Sequence, residues 1–176
     1  MDETIINSAR IFSGHVVKLS VHEVRLPDGK TSKRELVHHP GAVAVVALDD
    51  AQNVLLVKQY RIGAGKTLYE IPAGTLEPDE APEICAAREL QEEAGYKPGK
   101  LEALGGFYTA PGYTTEIIYI FLATQLTSAP LQGDSDEFIE MERVPLAQAL
   151  AMIENGDISD GKTMIGLLRV ASRLKA

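Results

Sequence analysis

Residues 74–96 read GTLEPDEAPEICAARELQEEAGY and form the most informative segment of the chain. Four apolar residues in it recur at helical spacing: Ile84, Ala87, Leu90 and Ala94. This spacing predicts a helix over 79–94 with one apolar face turned toward a core. Pro82 is compatible with a helix only near its start, and Gly95 suits the left-handed position that ends one.

Carboxylates crowd the same segment. Residues 77–93 contain seven acids and a single base, Arg88. Glu89, Glu92 and Glu93 stand at i, i+3 and i+4, so their side chains project from one helical face and repel each other. A solvated charged face is the ordinary alternative. A hard divalent cation such as Mg²⁺ removes the repulsion, because it prefers oxygen ligands and bridges carboxylates to phosphates.

The spacing of the polar and glycine residues favours a cation site over a solvated charged face. The residues that define it are Gly74, Glu80, Arg88, Glu89, Glu92, Glu93 and Gly95. Together they resemble the Nudix box, the signature of hydrolases that act on a nucleoside diphosphate linked to another group. Tyr96 is the one departure, since the family usually has an aliphatic residue there.

The resemblance implies an α+β fold, an α/β/α sandwich with a mixed central sheet in which the box forms a loop, a helix and a loop. It implies Mg²⁺, or Mn²⁺, held by Glu89, Glu93 and the Ala73 carbonyl, with Glu92 and Glu80 close by. Glu92 and Glu93 are its catalytic box residues. The implied reaction is hydrolysis of a phosphoanhydride by a water whose pKa the metal lowers.

The remaining pattern is mixed. Residues 16–26 and 33–39 predict a hairpin around the turn 27–30, so residues 1–40 are predicted to be an N-terminal β element and 41–176 the Nudix domain. The apolar run 42–48 predicts a strand buried on both faces. Further strands are predicted at 54–57, 101–109, 116–126 and before Val144, with two helices after them.

The resemblance extends beyond the box, to the ADP-ribose and nucleotide-sugar pyrophosphatases. Residues 59–61, 70–74 and 110–116 are similar to stretches in that branch, and the alternatives are an ordinary turn at 111–112 and a surface salt bridge for Arg61. The substrate contacts that it implies are Arg61, Glu70, Pro111, Gly112 and Glu116. The branch also uses an acid from a loop near the C-terminus. Glu137 is the first candidate here, with Asp136 and Glu140 as alternatives.

Residues 156–163 match the P-loop pattern formally, but they follow a helix rather than a strand, which excludes that interpretation. Asp160 is predicted to cap the third helix. Lys162 would then stand where the helix dipole disfavours a cation, unless it meets an anion or a carboxylate. An Asp-x-Lys pair at this place resembles the nucleoside diphosphate sugar hydrolases and adds Asp160 and Lys162 to the predicted substrate contacts.

Composition excludes several classes of protein. The 176 residues carry a net charge of −8 and one cysteine, which argues against nucleic-acid binding and excludes an internal disulfide framework. Without 77–93 the chain has 18 acids and 16 bases, so the excess acid lies in the box. Cys85 is predicted to be a buried small residue. No apolar run is long enough for a membrane span and no signal peptide is visible, so cytoplasm is the default expectation.

The predicted function is Mg²⁺-dependent hydrolysis of nucleoside diphosphate sugars, such as GDP-mannose or ADP-ribose, to a nucleoside monophosphate and a sugar phosphate. A dedicated ADP-ribose pyrophosphatase is the first alternative. A nucleotide sensor that keeps the fold without catalysis is the second, although this chain retains every box glutamate. The N-terminal hairpin resembles the branch's dimerisation element and implies a homodimer.

Overall fold

A computed structural model describes residues 2–133 and 138–174 of the chain. Its strands are β1 (Thr4–Ser13), β2 (Lys18–Arg25), β3 (Thr31–His38), β4 (Ala42–Ala47), β5 (Asn53–Arg61), β6 (Lys66–Glu70), β7 (Ala73–Thr75), β8 (Tyr96–Tyr108), β9 (Ile117–Ser128) and β10 (Glu140–Pro145). Its helices are α1 (Pro82–Ala94), α2 (Leu146–Glu154) and α3 (Gly161–Leu174). The chain divides into two compact units, residues 1–41 with 107–117 and residues 42–106 with 118–176.

The larger unit is built around strand β4. One sheet has the strand order β7-β4-β9-β8, in which β4 pairs parallel with β9 and antiparallel with β7. A second sheet has the order β10-β5-β6 and is antiparallel. Every residue of β4 is buried, which confirms the prediction from its continuous apolar run. The fold is α+β, as predicted.

Helices cover both faces of β4. Val43 and Val45 belong to a core cluster with Leu90 of α1. On the other face, Gly166 of α3 approaches Val46 so closely that a Cβ built on the glycine would lie 2.9 Å from its Cγ2 atom. Alternate residues of a strand point to opposite faces, so the strand is enclosed between two helices.

Helix α1 is shorter at its start than the predicted span of 79–94. Pro82 takes the first helical position, where its missing N–H costs nothing. The preceding residues form a turn instead, in which Asp79 has a φ of +60° and the Glu80 N–H donates to the Glu77 carbonyl. At the other end Gly95 adopts a left-handed φ of 78°, as predicted, and its N–H donates to the Gln91 carbonyl.

The smaller unit contains an antiparallel sheet of three strands in the order β1-β2-β3. The predicted hairpin corresponds to β2 and β3, and β1 adds a strand whose residues are all exposed. Residues 107–117 join this unit through backbone hydrogen bonds on either side of Val37, with Tyr113 and Thr115.

Candidate active site

The box helix α1 presents its carboxylates to strand β7. A Cβ built on Gly74 would lie 1.9 Å from both Cδ and Oε1 of Glu89. Only a residue without a side chain can therefore stand at position 74 while the Glu89 carboxylate lies against the strand backbone. The glycine of the box is explained by this close approach, since its φ is not positive.

Glu93 joins the helix to the same strand. Its Oε2 accepts a hydrogen bond of 2.9 Å from the backbone N–H of Ala73. Glu93 lies 20 residues after Ala73 in the chain, and the helix brings it one turn beyond Glu89 on the same face. The structure thus brings together three of the residues predicted to hold a metal, namely Ala73, Glu89 and Glu93.

Arg88 is the centre of the box's ion pairs. Its Nε and Nη2 each donate to Glu80, at 3.0 Å, and its Nη1 donates to Glu89 at 2.8 Å and to Glu92 at 2.9 Å. The guanidinium therefore offsets the repulsion among three carboxylates. Hydrogen bonding to Glu80 is the largest cause that raises the pKa of Arg88 further above its ordinary value.

Glu80 is held in its charged form. The hydrogen bonds from Arg88 are the main cause that lowers its pKa from 4.5 to about 2, and the backbone N–H of Glu77 adds to this by donating to Oε2. The carboxylate thus fixes both the box loop and the orientation of Arg88. Sequence spacing gave Glu80 as a box residue but did not show this loop contact.

We expect the lowered pKa of Glu80 to make stability depend on pH. A carboxylate with a depressed folded pKa stabilises the protein fully above the unfolded pKa of 4.5, and the stabilisation is lost as the pH falls toward about 2. Glu80→Gln should therefore lower the free energy of unfolding at pH 7 by roughly 1–3 kcal/mol. Urea unfolding of both proteins at pH 7 and pH 3 measures this. A difference between them that is equal at both pH values would contradict the assignment.

The donor atoms at this site suit a hard divalent cation. The Glu89, Glu92 and Glu93 carboxylates and the Ala73 carbonyl all offer oxygen, which Mg²⁺ and Mn²⁺ prefer. The cradle that Gly74 leaves for the Glu89 carboxylate fits the same role. Among the described residues no three acidic, histidine or cysteine side chains already converge on one point, and Arg88 contacts one oxygen each of Glu89 and Glu92.

A second group of charges lies at the end of β6. Glu70 is buried, with only 1% of its side chain exposed. Both of its oxygens accept hydrogen bonds of 2.8 Å from Arg61, and Oε2 also contacts Lys162 Nζ. Burial raises the pKa of Glu70, but the hydrogen bonds from Arg61 and the charge of Lys162 outweigh it and leave the pKa below its ordinary value.

Arg61 remains accessible although it is paired. Its side chain is 40% exposed, and among its contacts with described residues Nη1 makes no hydrogen bond. Its pKa is raised chiefly by the hydrogen bonds to Glu70, and the charges of Glu93 and Asp160 add to this against the effect of burial. Arg61, one of the predicted substrate contacts, therefore lies within electrostatic range of Glu93 in the box.

Asp160 and Lys162 are arranged as the sequence indicated. Asp160 caps α3, because its Oδ2 accepts a bond of 3.0 Å from the Thr163 N–H. Lys162 meets carboxylates rather than solvent alone, with Nζ 3.1 Å from Asp160 and in contact with Glu70. The pairing removes the conflict between a lysine and the positive end of the helix dipole. Sequence reasoning missed Thr163, which also contacts residue 71.

The predicted contacts Pro111, Gly112 and Glu116 belong to the smaller unit and are described within it. Pro111 and Gly112 lie in a turn closed by the Tyr113 N–H, which donates to the Ala110 carbonyl at 3.0 Å. Glu116 accepts a hydrogen bond of 2.8 Å from the Thr109 hydroxyl. Their role in substrate binding stays a prediction.

The candidate loop acids fall at the edge of the described chain. Glu137, the first candidate, and Asp136 lie outside the described residues. Glu140 begins β10, is exposed and stands opposite Lys58 in the pairing with β5. The identity of this acid stays a prediction.

Cys85 is buried among the core residues of α1, as predicted. Burial is the main cause that raises the pKa of its thiol to about 12. A thiol held in its protonated form is a poor nucleophile, so Cys85 serves packing rather than chemistry.

The chain is similar to known proteins along most of its length. The NUDIX domain family matches residues 37–165. An ADP-ribose pyrophosphatase of Bacillus subtilis (strain 168) is 47% identical over 165 residues, which cover 93% of this chain and 89% of the relative. A protein of Bacillus methanolicus named methanol dehydrogenase activator is 45% identical over 168 residues, 94% of this chain and 91% of that one.

Two further likenesses extend the comparison. A GDP-mannose pyrophosphatase of Citrobacter koseri (strain ATCC BAA-895 / CDC 4225-83 / SGSC4696) is 39% identical over 134 residues, 71% of this chain and 70% of the relative. A crystal structure of an ADP compounds hydrolase superposes with a TM-score of 0.89 at 24% identity, over 99% of this chain and 95% of that chain. The latter likeness concerns the fold alone.

Among the described residues no helix is both long and apolar enough to cross a membrane. The matched domain covers well over half of the chain, and it includes all the residues of the box. The chain belongs to the Nudix family.

Proposed function

We propose that this chain is a Mg²⁺-dependent Nudix pyrophosphatase that hydrolyses nucleoside diphosphate sugars to a nucleoside monophosphate and a sugar phosphate. The observation that carries the proposal is that the Glu89 carboxylate lies against Gly74 while the Glu93 carboxylate bonds the next residue, Ala73, because both carboxylates of the box helix then face one strand and offer the oxygen ligands that a divalent cation prefers. The names of the relatives support it, since they include an ADP-ribose and a GDP-mannose pyrophosphatase.

The box residues have separate roles in this proposal. Glu89, Glu93 and the Ala73 carbonyl hold the cation, with Glu92 close to it, and Arg88 fixes the orientation of Glu89 and Glu92 through its hydrogen bonds. When bound, the cation supplies charge neutralisation at the phosphate oxygens and lowers the pKa of water. Mn²⁺ can replace Mg²⁺ at such a donor set.

The second charge group binds the other end of the diphosphate. Arg61 offers its accessible guanidinium to a phosphate oxygen while Glu70 keeps it oriented through two parallel hydrogen bonds. Pro111, Gly112 and Glu116 contact the sugar side of the substrate in this proposal. The water is activated by a loop acid, with Glu137 as the first choice and Asp136 and Glu140 as alternatives.

We favour nucleoside diphosphate sugars over ADP-ribose alone because the pair Asp160 and Lys162 resembles the nucleoside diphosphate sugar hydrolases. The Lys162 ammonium group contacts both Asp160 and the buried Glu70, which also binds Arg61, so the pair lies in the proposed substrate site. ADP-ribose is then an additional substrate rather than the sole one.

Kinetics with purified protein test the function. We expect turnover of GDP-mannose, ADP-glucose and ADP-ribose in the presence of Mg²⁺, and none after EDTA treatment until Mg²⁺ or Mn²⁺ is restored. Turnover of ADP-ribose alone would overturn the preference for a range of sugars. Tight binding of these nucleotides with no hydrolysis under any metal would favour the sensor.

We also propose that the chain forms a homodimer through residues 1–40. Strand β1 is exposed along its whole length and carries Ile5, Ile11 and Phe12, each more than half exposed. Several large apolar side chains exposed on one strand favour an interaction surface. We assign no nucleic acid or membrane partner, and cytoplasm is the proposed location.

Light scattering after gel filtration tests the dimer. We expect twice the chain mass of 19.0 kDa for the native protein and the monomer mass for Ile11→Glu with Phe12→Glu. Ser128→Glu, at the exposed end of β9 and outside residues 1–40, is the control and should stay dimeric. A native mass of 19.0 kDa at micromolar concentration would show that the proposal is wrong.

A further inference from the structure

Thr163 forms a buried hydrogen-bond bridge from α3 to the segment before the box. Its Oγ1 accepts a bond of 2.9 Å from the backbone N–H of Ile71, and it lies 2.6 Å from Oδ2 of Asp160. An ionised carboxylate can only accept, so the threonine hydroxyl donates to Asp160 and its lone pair receives the Ile71 N–H. The direction of both hydrogen bonds is thus fixed by chemistry.

A water molecule cannot replace the Thr163 hydroxyl in this bridge. Thr163 and Ile71 are both fully buried, so water cannot take the place of the hydroxyl without a cavity to hold it. Ile71 lies between the end of β6 and the start of β7, where Pro72 has no N–H to pair. The Thr163 hydroxyl is therefore the group that satisfies the backbone donor at this break in the strands.

One turn further along α3, the helix also packs against the side chain of Ile71. A Cβ on Gly166 would lie 2.9 Å from Cδ1 of Ile71, so the helix backbone approaches the isoleucine as closely as a glycine permits. Positions 163 and 166 share one face of the helix. Ile71 is thus fixed by a hydrogen bond at its backbone and by close packing at its side chain.

The residues on both sides of Ile71 belong to the proposed site. Glu70 precedes it and holds Arg61 and Lys162. Two residues after it, the Ala73 N–H donates to Glu93. Between these residues, the Pro72 carbonyl accepts a hydrogen bond from the Val45 N–H of β4. Segment 71–73 is therefore held through its N–H groups and through a carbonyl group.

We propose that Thr163 is a positioning residue that sets the place of Ala73 against Glu93 and thereby the affinity of the site for a divalent cation. This inference rests on the metal site of the proposed function. Thr163 touches neither metal nor substrate, and it acts through the backbone of 71–73. Residues that orient metal ligands from outside the coordination shell commonly change affinity by about tenfold or more when they are replaced.

The test compares Thr163→Val, which keeps the shape but removes the hydroxyl, with Thr163→Ser, which keeps the hydroxyl. Titration with Mn²⁺, followed by electron paramagnetic resonance, gives the Kd without any turnover. We expect Thr163→Val to bind Mn²⁺ roughly tenfold more weakly, and Thr163→Ser to stay within about twofold of the native protein. Hydrogen exchange of the Ile71 amide should accelerate in Thr163→Val and recover in Thr163→Ser.

Val170→Ala is the matched control for lost stability. Val170 is fully buried on the same helix, so we expect its truncation and Thr163→Val to lower the Tm alike, by a few degrees. Val170→Ala should nevertheless leave the Kd for Mn²⁺ unchanged. If Thr163→Val does not fold, Thr163→Cys, whose thiol is a weaker hydrogen-bond partner, takes its place with an intermediate loss of affinity.

The outcomes separate this inference from the proposed function. A folded Thr163→Val with native Kd for Mn²⁺, or an equal loss in Val170→Ala, overturns the positioning role. A native chain that binds Mn²⁺ in a Thr163-dependent way yet hydrolyses no nucleotide overturns the proposed function alone. A native chain that binds no Mn²⁺ overturns both.

Discussion

Replacing Glu93 with glutamine is expected to lower kcat by about 10³-fold or more, a loss of roughly 4 kcal/mol in transition-state stabilisation. The substitution removes one negatively charged ligand from the proposed cation site and so weakens binding of the cation. The rate falls because the bound cation neutralises the phosphate oxygens of the substrate in the transition state. Stability should change little. The amide oxygen of glutamine can still accept the hydrogen bond from the Ala73 N–H, which now joins the helix to β7.

Steady-state kinetics with GDP-mannose and ADP-ribose, together with thermal unfolding, measure both halves of this prediction. Glu83→Gln is the matched control, because Glu83 lies on the same helix but is exposed in its first turn. It makes the same chemical change and should keep native kcat. A Glu93→Gln protein that retains Mg²⁺-dependent turnover would refute the assignment of Glu93 to the cation site.

Gly74→Ala is expected to reduce kcat/KM by at least about 10²-fold while the Tm falls by only a few degrees. The new methyl group would lie 1.9 Å from the Glu89 carboxylate, so one of them must move. The carboxylate is the far end of a flexible side chain held by Arg88, and moving it costs less than moving the strand. The loss falls on kcat/KM, because Glu89 leaves its place beside Ala73 and Glu93.

The separation between lost activity and retained stability is the informative part of the Gly74 experiment. Gly63→Ala is the control, since a Cβ there meets no atom within 4 Å and the residue has no positive φ. It should leave kcat/KM and Tm unchanged. Native activity in Gly74→Ala would show that the Glu89 carboxylate can do without its place against the strand, and so would remove Glu89 from the proposed cation site.

The box could be predicted from the sequence because its information is local. Glu89, Glu92 and Glu93 share a face by the period of the helix alone, and Gly95 ends the helix through its own backbone freedom. The helix begins at Pro82, three residues later than its predicted start at 79. Acidic residues at 79 and 80 suit a first helical turn, but Pro82 favours the first position and Asp79 adopts a positive φ.

The sheets were predicted less completely, for a related reason. The apolar run of β4 showed burial on both faces, since a continuous run has no solvent side. Strand β1 cannot be distinguished within residues 1–40 from the sequence. All its residues are exposed, so apolar and polar residues do not alternate along it as they do in a half-buried strand. The pairing of β4 with β9 depends on contacts far apart in the chain.

By itself the sequence determined the Nudix family, the acidic helix and the concentration of negative charge in one segment, because each depends on spacing within a few turns of chain. Only the tertiary structure decided that Glu70 is shared by Arg61 and Lys162, and that Thr163 supports Ile71. Both Lys162–Glu70 and Thr163–Ile71 join residues 92 positions apart. A hydrogen bond between such distant residues leaves no periodic trace, since only the packing of α3 on the sheets brings its two partners together.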